Sequence, residues 1–568
     1  MEVQVPPPLQ DIPTAKEKKY DRQLRLWGAS GQKALEETHV LLINNGSGVT
    51  GVETLKNLVL PGVGQFTILD SHVVSEADLG VNFFLEEESL GQFRAEETVR
   101  CLCELNPGVQ GFALTEPLET FIDKDDVLKP YNLILVSAPL DSAILARIQL
   151  YANALQIPTF YFRSTGFYSS FSVLLPTAFP IVDTHPDPTS TTDLRLLKPW
   201  PTLSEFVREK TKGLGTESMN QHDKSHIPYV CLLLHYLEQW RDKNGGKNPE
   251  TYKEKSAFRE LVREGDANEE NFDEACANVL KALNPPTISS TVRNIFAAPE
   301  IDELTTSSPS FWLIANAIRQ FYNTHNELPL PGAVPDMKAQ SADYIELQNI
   351  YKKKARQDCA EVVETVRQLE KQTDRPKEHE ISEKEIENFC KGAAHISLVR
   401  GRPLQIVEAG KPITFGDRAK AMAMELTNPE SLIGLYICFL AWDEYIATRS
   451  TPSNENGDNG LKIPGSTDKD YKTDETKLID MAHIIVDNLL KEANTSIDEP
   501  ESSEIKAQIA KQCKELVRAG GGELHNLASL TGGMISQEVI KVVTRQYVPV
   551  DNTCLFDGIA SRTYVLRI

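Results

Sequence analysis

Three glycines and one aspartate form the clearest chemical pattern in the sequence. The apolar run HVLLINN leads into Gly46, Gly48 and Gly51, spaced G-x-G-x-x-G, and after a helix-forming segment the next apolar run ends at Asp70. Such glycines allow a tight turn and bring a phosphate close to a helix N-terminus, while the acid can accept a hydrogen bond from a ribose hydroxyl. The pattern is typical of a nucleotide site, although the same glycines can serve only to let strand and helix pack closely. An NAD-dependent oxidoreductase is one enzyme class that the pattern allows.

The segments around this loop predict the fold that positions it. From His39 to about Ser164, short apolar runs alternate with helical segments. This alternation predicts a parallel sheet with crossover helices, and therefore a doubly wound, Rossmann-like α/β domain. From about Pro201 to Gly392, helical periodicity dominates, which predicts a large and mainly helical insertion.

The predicted domain boundaries follow from these changes in sequence pattern. Residues 1–170 should form the first part of the α/β domain, with 1–16 disordered, and residues 171–504 the helical insertion. Residues 448–477 are rich in Ser, Thr, Asn, Asp and Gly, so we expect a mobile surface loop within the insertion. Residues 505–568 are too short to fold alone and should return to the first domain.

Composition excludes several classes of function. The chain has 59 Lys and Arg against 81 Asp and Glu, a net charge of −22, so general nucleic-acid binding is not expected. The nine cysteines are scattered, which favours neither a metal site nor a disulfide framework. No signal peptide or membrane span is predicted, and the apolar run IGLYICFLAW should be a buried helix. We expect a protein of the cytoplasm and nucleus.

Three further segments carry a resemblance to a known family. They are KYDRQLRLWGASGQKAL before the first strand, LKNLVLPGVGQFTILDSHVVSEADLGVNFFL after the glycine loop, and LASLTGGMISQEVIKVVTRQYVPVDN near the end. Together these segments resemble the adenylation domain of the ThiF/MoeB-like family, which includes the ubiquitin-like modifier activating enzymes. A dehydrogenase has no reason to carry the Tyr20-Asp21-Arg22-Gln23 element.

The resemblance also implies which subunit this is. Gly80 and Val81 stand where the family has its catalytic Asn and Arg, and Arg94 stands where it has a lysine. Asp141 is a poor substitute for the magnesium-binding Asp. Adenylation builds negative charge that cations must absorb, so the glycine pocket is expected to be degenerate and not to turn nucleotide over. No metal or cofactor of its own is predicted, and the sequence does not decide whether the pocket binds a nucleotide. ATP and magnesium would be used by the complex through a catalytic partner.

The resemblance implies that the active thiol lies in the partner too. No cysteine of this chain lies in a C-T-x-x-x-x-P-type segment, and Cys231 lies in the apolar helix YVCLLLHYLEQW. Such a thiol is expected to be buried and unreactive.

Arg22 has an implied role in trans. In the pseudo-symmetric dimers of the family, the arginine of the N-terminal helix reaches the partner's ATP site. Two alternatives remain: Arg22 is an ordinary surface arginine, or the chain is a pure scaffold.

Segments of the insertion, among them KSHIPYV, TYKEKSAFRELVREG and TSSPSFWLIANAI, resemble the regulatory subunits of neddylation-type activating enzymes. The implied function is to support adenylation of a Nedd/Rub-type modifier and its transfer to the partner's cysteine, before a conjugating enzyme receives it. Pro331, Asp336 and Tyr344, in the segment LPLPGAVPDMKAQSADY, are candidate contacts with the catalytic partner.

Overall fold

The computed structural model of the chain describes residues 13–186, 193–216, 219–266, 268–285, 287–449, 461–467 and 470–568. These residues form two compact units. The first contains the chain up to Phe179 and again from Val399, and the second spans Pro180–Leu398.

A mixed sheet is the centre of the first unit. Its order is β10-β9-β6-β5-β4-β1-β2-β3; strands β3, β2, β1, β4 and β5 are parallel, and β6, β9 and β10 extend the sheet with antiparallel pairs. The predicted doubly wound α/β fold is confirmed. The strands are β1 (His39–Ile43), β2 (Gln65–Leu69), β3 (Gln110–Leu114), β4 (Leu133–Ser137), β5 (Thr159–Thr165), β6 (Tyr168–Leu174), β9 (Thr553–Asp557) and β10 (Arg562–Leu566).

The central strands are continuous apolar runs because both faces of a parallel sheet are covered by helices. Strand β4 is buried at every position, and β1 at all but His39. The edge strand β3 is partly exposed, and its sequence QGFAL lacks such a run, so the alternation of apolar runs did not reveal it. The first helices are α1 (Ala15–Lys19), α2 (Asp21–Glu36), α3 (Val49–Val59), α4 (Glu76–Leu79), α5 (Arg94–Leu105), α6 (Leu118–Ile122) and α7 (Ser142–Ala154).

The second unit is mainly helical, and β7 (Phe179–Val182) and β8 (Ile396–Val399) pair as a two-stranded sheet. Its core is built from apolar side chains such as Leu233, Phe258 and Tyr351, which are fully buried. The helices are α8 (Pro201–Lys210), α9 (Gln221–Ser225), α10 (Tyr229–Lys243), α11 (Tyr252–Arg263), α12 (Glu270–Ala282), α13 (Ser290–Phe296), α14 (Ser310–His325), α15 (Ser341–Gln372) and α16 (Glu383–Lys391).

The last part of the chain adds helices to the first unit. The apolar run around Ile433 is the buried helix predicted from the sequence, and it packs in one core cluster with Tyr168 and Leu555 of the sheet. The described residues include no helix that is both long and apolar enough to cross a membrane. The helices are α17 (Ala419–Glu425), α18 (Ile433–Arg449), α19 (Tyr471–Glu492), α20 (Glu499–Ala519) and α21 (His525–Thr544).

The compact units differ from the predicted boundaries. The sequence analysis extended the helical insertion over 171–504, but residues from Val399 onward pack with the sheet unit. The physical reason is the apolar surface of α18, together with the buried ion pair between Arg163 of β5 and Asp443, whose Nη2 and Oδ2 atoms lie 2.7 Å apart. The sequence analysis predicted α18 as a buried helix without showing which core it joins.

Two predictions concern segments that are only partly described. Residues 1–12, within the predicted disordered segment 1–16, lie outside the described residues, whereas Thr14 caps α1 through the backbone N–H of Glu17. Of the predicted mobile loop 448–477, residues 450–460 and 468–469 also lie outside them. Its last residues belong to α19, where the buried carboxylate of Asp474 accepts a hydrogen bond from Gly465 N at 3.1 Å. This ordered contact corrects the loop prediction for that end.

Candidate functional site

The glycine loop lies directly after β1, where the strand order of the parallel sheet changes direction. Gly46 and Gly48 have φ angles of 60° and 68°, which favour glycine. A Cβ on Gly48 would collide with the Asn44 amide, and one on Gly51 would lie 2.8 Å from a Leu42 methyl group. The three glycines therefore allow the tight turn and the close packing of α3 on β1.

Asp70 follows β2 and is fully engaged by its own chain. Its Oδ2 accepts hydrogen bonds from Arg94 Nε at 2.7 Å and Asn44 Nδ2 at 3.0 Å, and its Oδ1 accepts from the backbone N–H of His72 at 3.0 Å. The His72 ring lies 2.8 Å from the same Oδ1. Burial opposes ionisation, but the hydrogen bond from His72 and the charge of Arg94 outweigh it and lower the pKa of Asp70.

Arg94 begins α5 and points into the protein. Its Nη1 donates to Asp78 Oδ1 at 2.9 Å and to the carbonyl of Ser47 at 3.3 Å, and its Nη2 donates to the carbonyl of Gly46 at 2.9 Å. The side chain is only 4% exposed. Arg94, which stands where the family has a lysine, therefore binds the loop and two acids.

Glu523 is a site residue that the sequence analysis missed. It follows the glycine triplet after α20, and its buried carboxylate lies at the N-terminus of α3. Oε2 accepts from Val49 N at 2.5 Å, and Oε1 accepts from Thr50 Oγ1 at 2.7 Å. Three glycines followed by an acid were the available signal, but nothing local links that acid to a loop so distant along the chain.

A cavity of about 240 Å³ opens beside the glycine loop and Asp70. In the described part of the chain, no lysine or arginine lines it, and the Glu116 carboxylate is 2.6 Å from Lys124 Nζ. Such a surface repels phosphate. The ionisable side chains lining the cavity are Asp70, His72, Glu116, Glu119 and Asp141.

These residues do not fit a bound nucleotide. The carboxylate that would accept from a ribose hydroxyl, Asp70, is buried against Arg94, and the helix end that would face a phosphate is occupied by Glu523. The glycine loop therefore keeps the shape of a nucleotide site without its free binding groups.

Arg22 differs from Arg94 because its side chain is exposed. Tyr20 fixes the start of α2, because its buried hydroxyl accepts from Asn106 Nδ2 at 3.0 Å. Two residues later, Arg22 is exposed, and among the described residues it forms no ion pair or hydrogen bond. Arg25, one turn further, is paired with Asp21 at 2.9 Å. Arg22 is thus a cation available to a second molecule.

Comparison with known proteins places this geometry in a family. The sequence matches the ThiF family over residues 20–567. It is 36% identical over 563 residues to the NEDD8-activating enzyme E1 regulatory subunit of Xenopus laevis, covering 97% of this chain and 99% of the relative. The chain belongs to the ThiF family, among the NEDD8-activating enzyme E1 regulatory subunits.

Other members of that group match over similar lengths. The regulatory subunit of Danio rerio is 35% identical and covers 98% of this chain and 100% of the relative. The regulatory subunit AXL of Arabidopsis thaliana is 33% identical and covers 97% and 99%. Among solved structures, E. coli MccB with ATP is 17% identical and covers 28% of this chain and 49% of its own, and its TM-score of 0.25 is too low to support any conclusion.

The positions that the family resemblance singled out lack charge or are used structurally. Gly80 ends α4, and the carbonyl of Val81 lies 3.0 Å from His525 Nδ1. Asp141 caps α7, where its Oδ1 accepts from the backbone N–H groups of Ala143 at 2.9 Å and Ile144 at 3.2 Å. Neither Gly80 nor Val81 can supply a cation, and Asp141 is occupied as a helix cap.

The thiols lie on helices or are buried in the sheet. Burial raises the pKa of Cys231 and also that of Cys276, which keeps both protonated and weakly nucleophilic. Cys359 differs, because a hydrogen bond with Cys390 lowers its pKa, but it is half-buried in the middle of α15.

The candidate partner-contact residues lie together in the second unit. Pro331 lines a cavity of about 570 Å³, and Asp336 is exposed. The half-buried Tyr344 begins the second turn of α15, and its hydroxyl donates to the carbonyl of Val334 at 3.4 Å. The structure therefore gives the segment from Pro331 to Tyr344 a fixed path, and contact with a partner remains a prediction.

Proposed function

We propose that this chain is the non-catalytic half of a heterodimeric NEDD8-activating enzyme. In that enzyme a catalytic partner adenylates the C-terminus of the modifier, carries it on a cysteine, and passes it to a conjugating enzyme. The proposal is supported by the names of the relatives, which are regulatory subunits at 31–36% identity along nearly the whole chain.

One contrast within the structure carries this proposal. The buried guanidinium of Arg94 is committed to Asp70, Asp78 and the glycine loop, while Arg22 is exposed and has no partner among the described residues. A working adenylation site needs the opposite arrangement, with cations free at the glycine loop. The contrast supports a chain that gives a cation to its partner and keeps none in its own pocket.

Arg22 has a specific proposed task. Attack on the α-phosphate of ATP increases negative charge on the phosphate oxygens, and a guanidinium supplied in trans stabilises that charge. Tyr20 is buried and hydrogen-bonded to Asn106, and this contact fixes the start of α2, from which Arg22 extends. ATP and magnesium would be bound by the catalytic partner.

Two other functions are less well supported. An NAD-dependent oxidoreductase needs a free acid at Asp70 for the ribose, but Arg94, Asn44 and His72 already donate hydrogen bonds to this carboxylate. A pure scaffold subunit is compatible with the pocket, and it differs from our proposal only in giving Arg22 no role.

ATP–pyrophosphate exchange by the reconstituted pair tests the proposal. We expect exchange only when both chains are present, and we expect Arg22→Ala to slow it by at least about tenfold, since loss of one charge-stabilising group has effects of this order or larger. Arg25→Ala is the matched control, because Arg25 is on the same helix and loses only an exposed ion pair with Asp21. Gel filtration of each variant pair measures assembly separately.

The outcomes separate the candidates. Normal exchange by an assembled Arg22→Ala pair would favour the pure scaffold. Exchange by this chain alone, or NAD binding by it, would contradict the non-catalytic role.

A further inference from the structure

The N-terminus of α3 is where a glycine loop presents backbone N–H groups to a phosphate. Here Glu523 supplies the oxyanion. Its Oε2 accepts from the backbone N–H of Val49 at 2.5 Å, both oxygens lie 3.4 Å from Thr50 N, and Oε1 accepts from the Thr50 hydroxyl at 2.7 Å. The carboxylate is thus bonded where a phosphate oxygen would be expected.

Among the described residues, α3 itself supplies no side chain that caps this helix end. The residue before the helix is Gly48, which has no side chain to cap it, and the first turn of α3 contains no acidic residue. A helix end without a cap leaves donors unsatisfied and carries a partial positive charge. Glu523, near the far end of the sequence, accepts hydrogen bonds at this helix end, and its carboxylate opposes the partial positive charge.

A second observation shows that the rest of the loop is closed as well. The carbonyls of Gly46 and Ser47 accept hydrogen bonds from Arg94, which is itself held by Asp70 and Asp78. Two acidic side chains, Asp70 and Asp78, therefore hold this guanidinium at the place where a phosphate would need cations. The glycine loop is therefore bound by its own chain at two places: Glu523 accepts from a backbone N–H group, and Arg94 donates to two carbonyls.

We propose that Glu523 is a built-in oxyanion ligand of the glycine loop, which fills the phosphate position from within and fastens the segment between α20 and α21 to α3. This proposal deepens the non-catalytic role given above and rests on it for its biological meaning. A chain whose phosphate position is filled by its own carboxylate keeps its fold without nucleotide, so nucleotide binding in the complex falls to the partner.

Repulsion between negative charges explains why phosphate should be excluded from this site. An entering phosphate must displace a buried carboxylate and approach Asp70 and Asp78, which hold the Arg94 guanidinium. Like charges a few ångströms apart at a partly buried site repel each other strongly. Burial raises the pKa of Glu523, and the hydrogen bonds from Thr50 and Val49, together with the charge of Arg94, oppose that rise.

Thermal unfolding of the full chain, with and without inorganic pyrophosphate, tests the proposal. A ligand that binds the folded state raises the melting temperature by an amount that grows with the logarithm of its concentration divided by its Kd. We expect no shift for the unaltered chain. For Glu523→Ala we expect a pyrophosphate-dependent rise in melting temperature, with binding at least about tenfold tighter than the weakest that the assay detects, because the competing charge is gone.

Glu492→Ala is the matched control. Glu492 also accepts from two backbone N–H groups, those of Phe415 at 2.9 Å and Gly416 at 2.8 Å, but it lies away from the glycine loop. We expect this variant to gain no pyrophosphate binding. An equal gain in both variants would indicate non-specific binding and overturn the proposal.

Glu523→Gln guards against a variant that fails to fold. The amide keeps the size of the side chain and removes its charge, so we expect a smaller gain than for Glu523→Ala. A folded Glu523→Ala with no gain would overturn the proposal, as would a Glu523→Gln with none if the alanine variant does not fold. Pyrophosphate binding by the unaltered chain would overturn it too. These measurements use this chain alone, so their outcome does not depend on the exchange assay that tests Arg22.

Discussion

Arg94 Nε lies 2.7 Å from Asp70 Oδ2, and the two side chains are 4% and 0% exposed. The glycine-loop domain thus joins, inside the fold, the acid that a ribose would need and the cation that a phosphate would need. The pair explains how a chain can retain the loop and the acid of a nucleotide site while Asp70 and Arg94 are committed to each other.

Removal of Arg94 should destabilise the first unit. Arg94→Ala leaves Asp70 and Asp78 as buried carboxylates without their cation, and breaking a buried pair in this way costs about 3–5 kcal/mol of unfolding free energy. Urea unfolding followed by circular dichroism measures the change. Arg100→Ala is the control, because the ion pairs of Arg100 are largely exposed, and its effect should stay below about 1 kcal/mol. Equal effects would show that the Asp70–Arg94 pair is not important for stability.

The same cluster should make stability sensitive to acid. Burial disfavours both charges, but His72 and Arg94 lower the pKa of Asp70, and Ser75 and Arg94 lower that of Asp78, below the ordinary value of 3.8. A carboxyl with a lowered folded-state pKa stabilises the fold above its unfolded pKa and loses this contribution as pH falls through the folded one. We expect the contribution to be complete near pH 6 and to decline below about pH 4. Asp70→Asn should flatten this decline in urea titrations, and an unchanged decline would contradict the assignment.

Gly28 and Gly48 both have a positive φ, but alanine should destabilise the protein for a different reason at each. Gly28, with φ 65° and ψ −178°, has a conformation that essentially only glycine adopts, although a Cβ there meets nothing within 4 Å. Gly48, with φ 68° and ψ 10°, is in the left-handed helical region, and a Cβ there collides with Asn44, so the Asn44–Asp70 hydrogen bond must shift. We expect each alanine to cost about 1–3 kcal/mol of unfolding free energy. Thermal melts of the two variants measure these costs: an unchanged melting temperature for Gly48→Ala would mean that the loop adapts to the added methyl group, and one for Gly28→Ala would contradict the backbone strain.

The hydrogen bond between Tyr20 and Asn106, at the start of α2, should affect catalysis more than stability. Tyr20→Phe removes a buried hydroxyl that accepts from Asn106 Nδ2, which still donates to the carbonyl of Val59, so we expect a cost of about 1 kcal/mol. If this contact positions Arg22, exchange by the assembled pair should fall while the affinity between the chains is unchanged. Tyr252→Phe, at a tyrosine that is 72% exposed, is the control. A loss of pair affinity without loss of exchange would assign Tyr20 to assembly.

The sequence analysis predicted the features that depend on local pattern. Continuous apolar runs predicted the parallel strands except β3, since the others are buried on both faces, and the G-x-G-x-x-G spacing placed a tight turn between β1 and α3. The family resemblance singled out Arg22, because its motif is contiguous in sequence, and the role of Arg22 stays a prediction.

The features that the sequence analysis missed are contacts between distant residues. Arg94 meets Asp70 only because β2 ends and α5 begins at the same edge of the sheet, and Glu523 meets Val49 although the two residues are 474 positions apart. The sequence analysis predicted α18 as a buried helix, but it did not show that α18 packs on the sheet rather than in the helical unit. Periodicity reports which face of a helix is apolar, and it does not report what covers that face.

The number of ATP molecules bound per assembled pair tests the central claim most directly. Equilibrium dialysis of the heterodimer with a non-hydrolysable ATP analogue should give one nucleotide per pair, bound by the catalytic partner, and the same value for a pair carrying Arg94→Lys in this chain. Two nucleotides per pair, with one lost when the glycine loop of this chain is altered, would contradict the claim that Glu523 and Arg94 close this site and that the chain supports catalysis only through its partner.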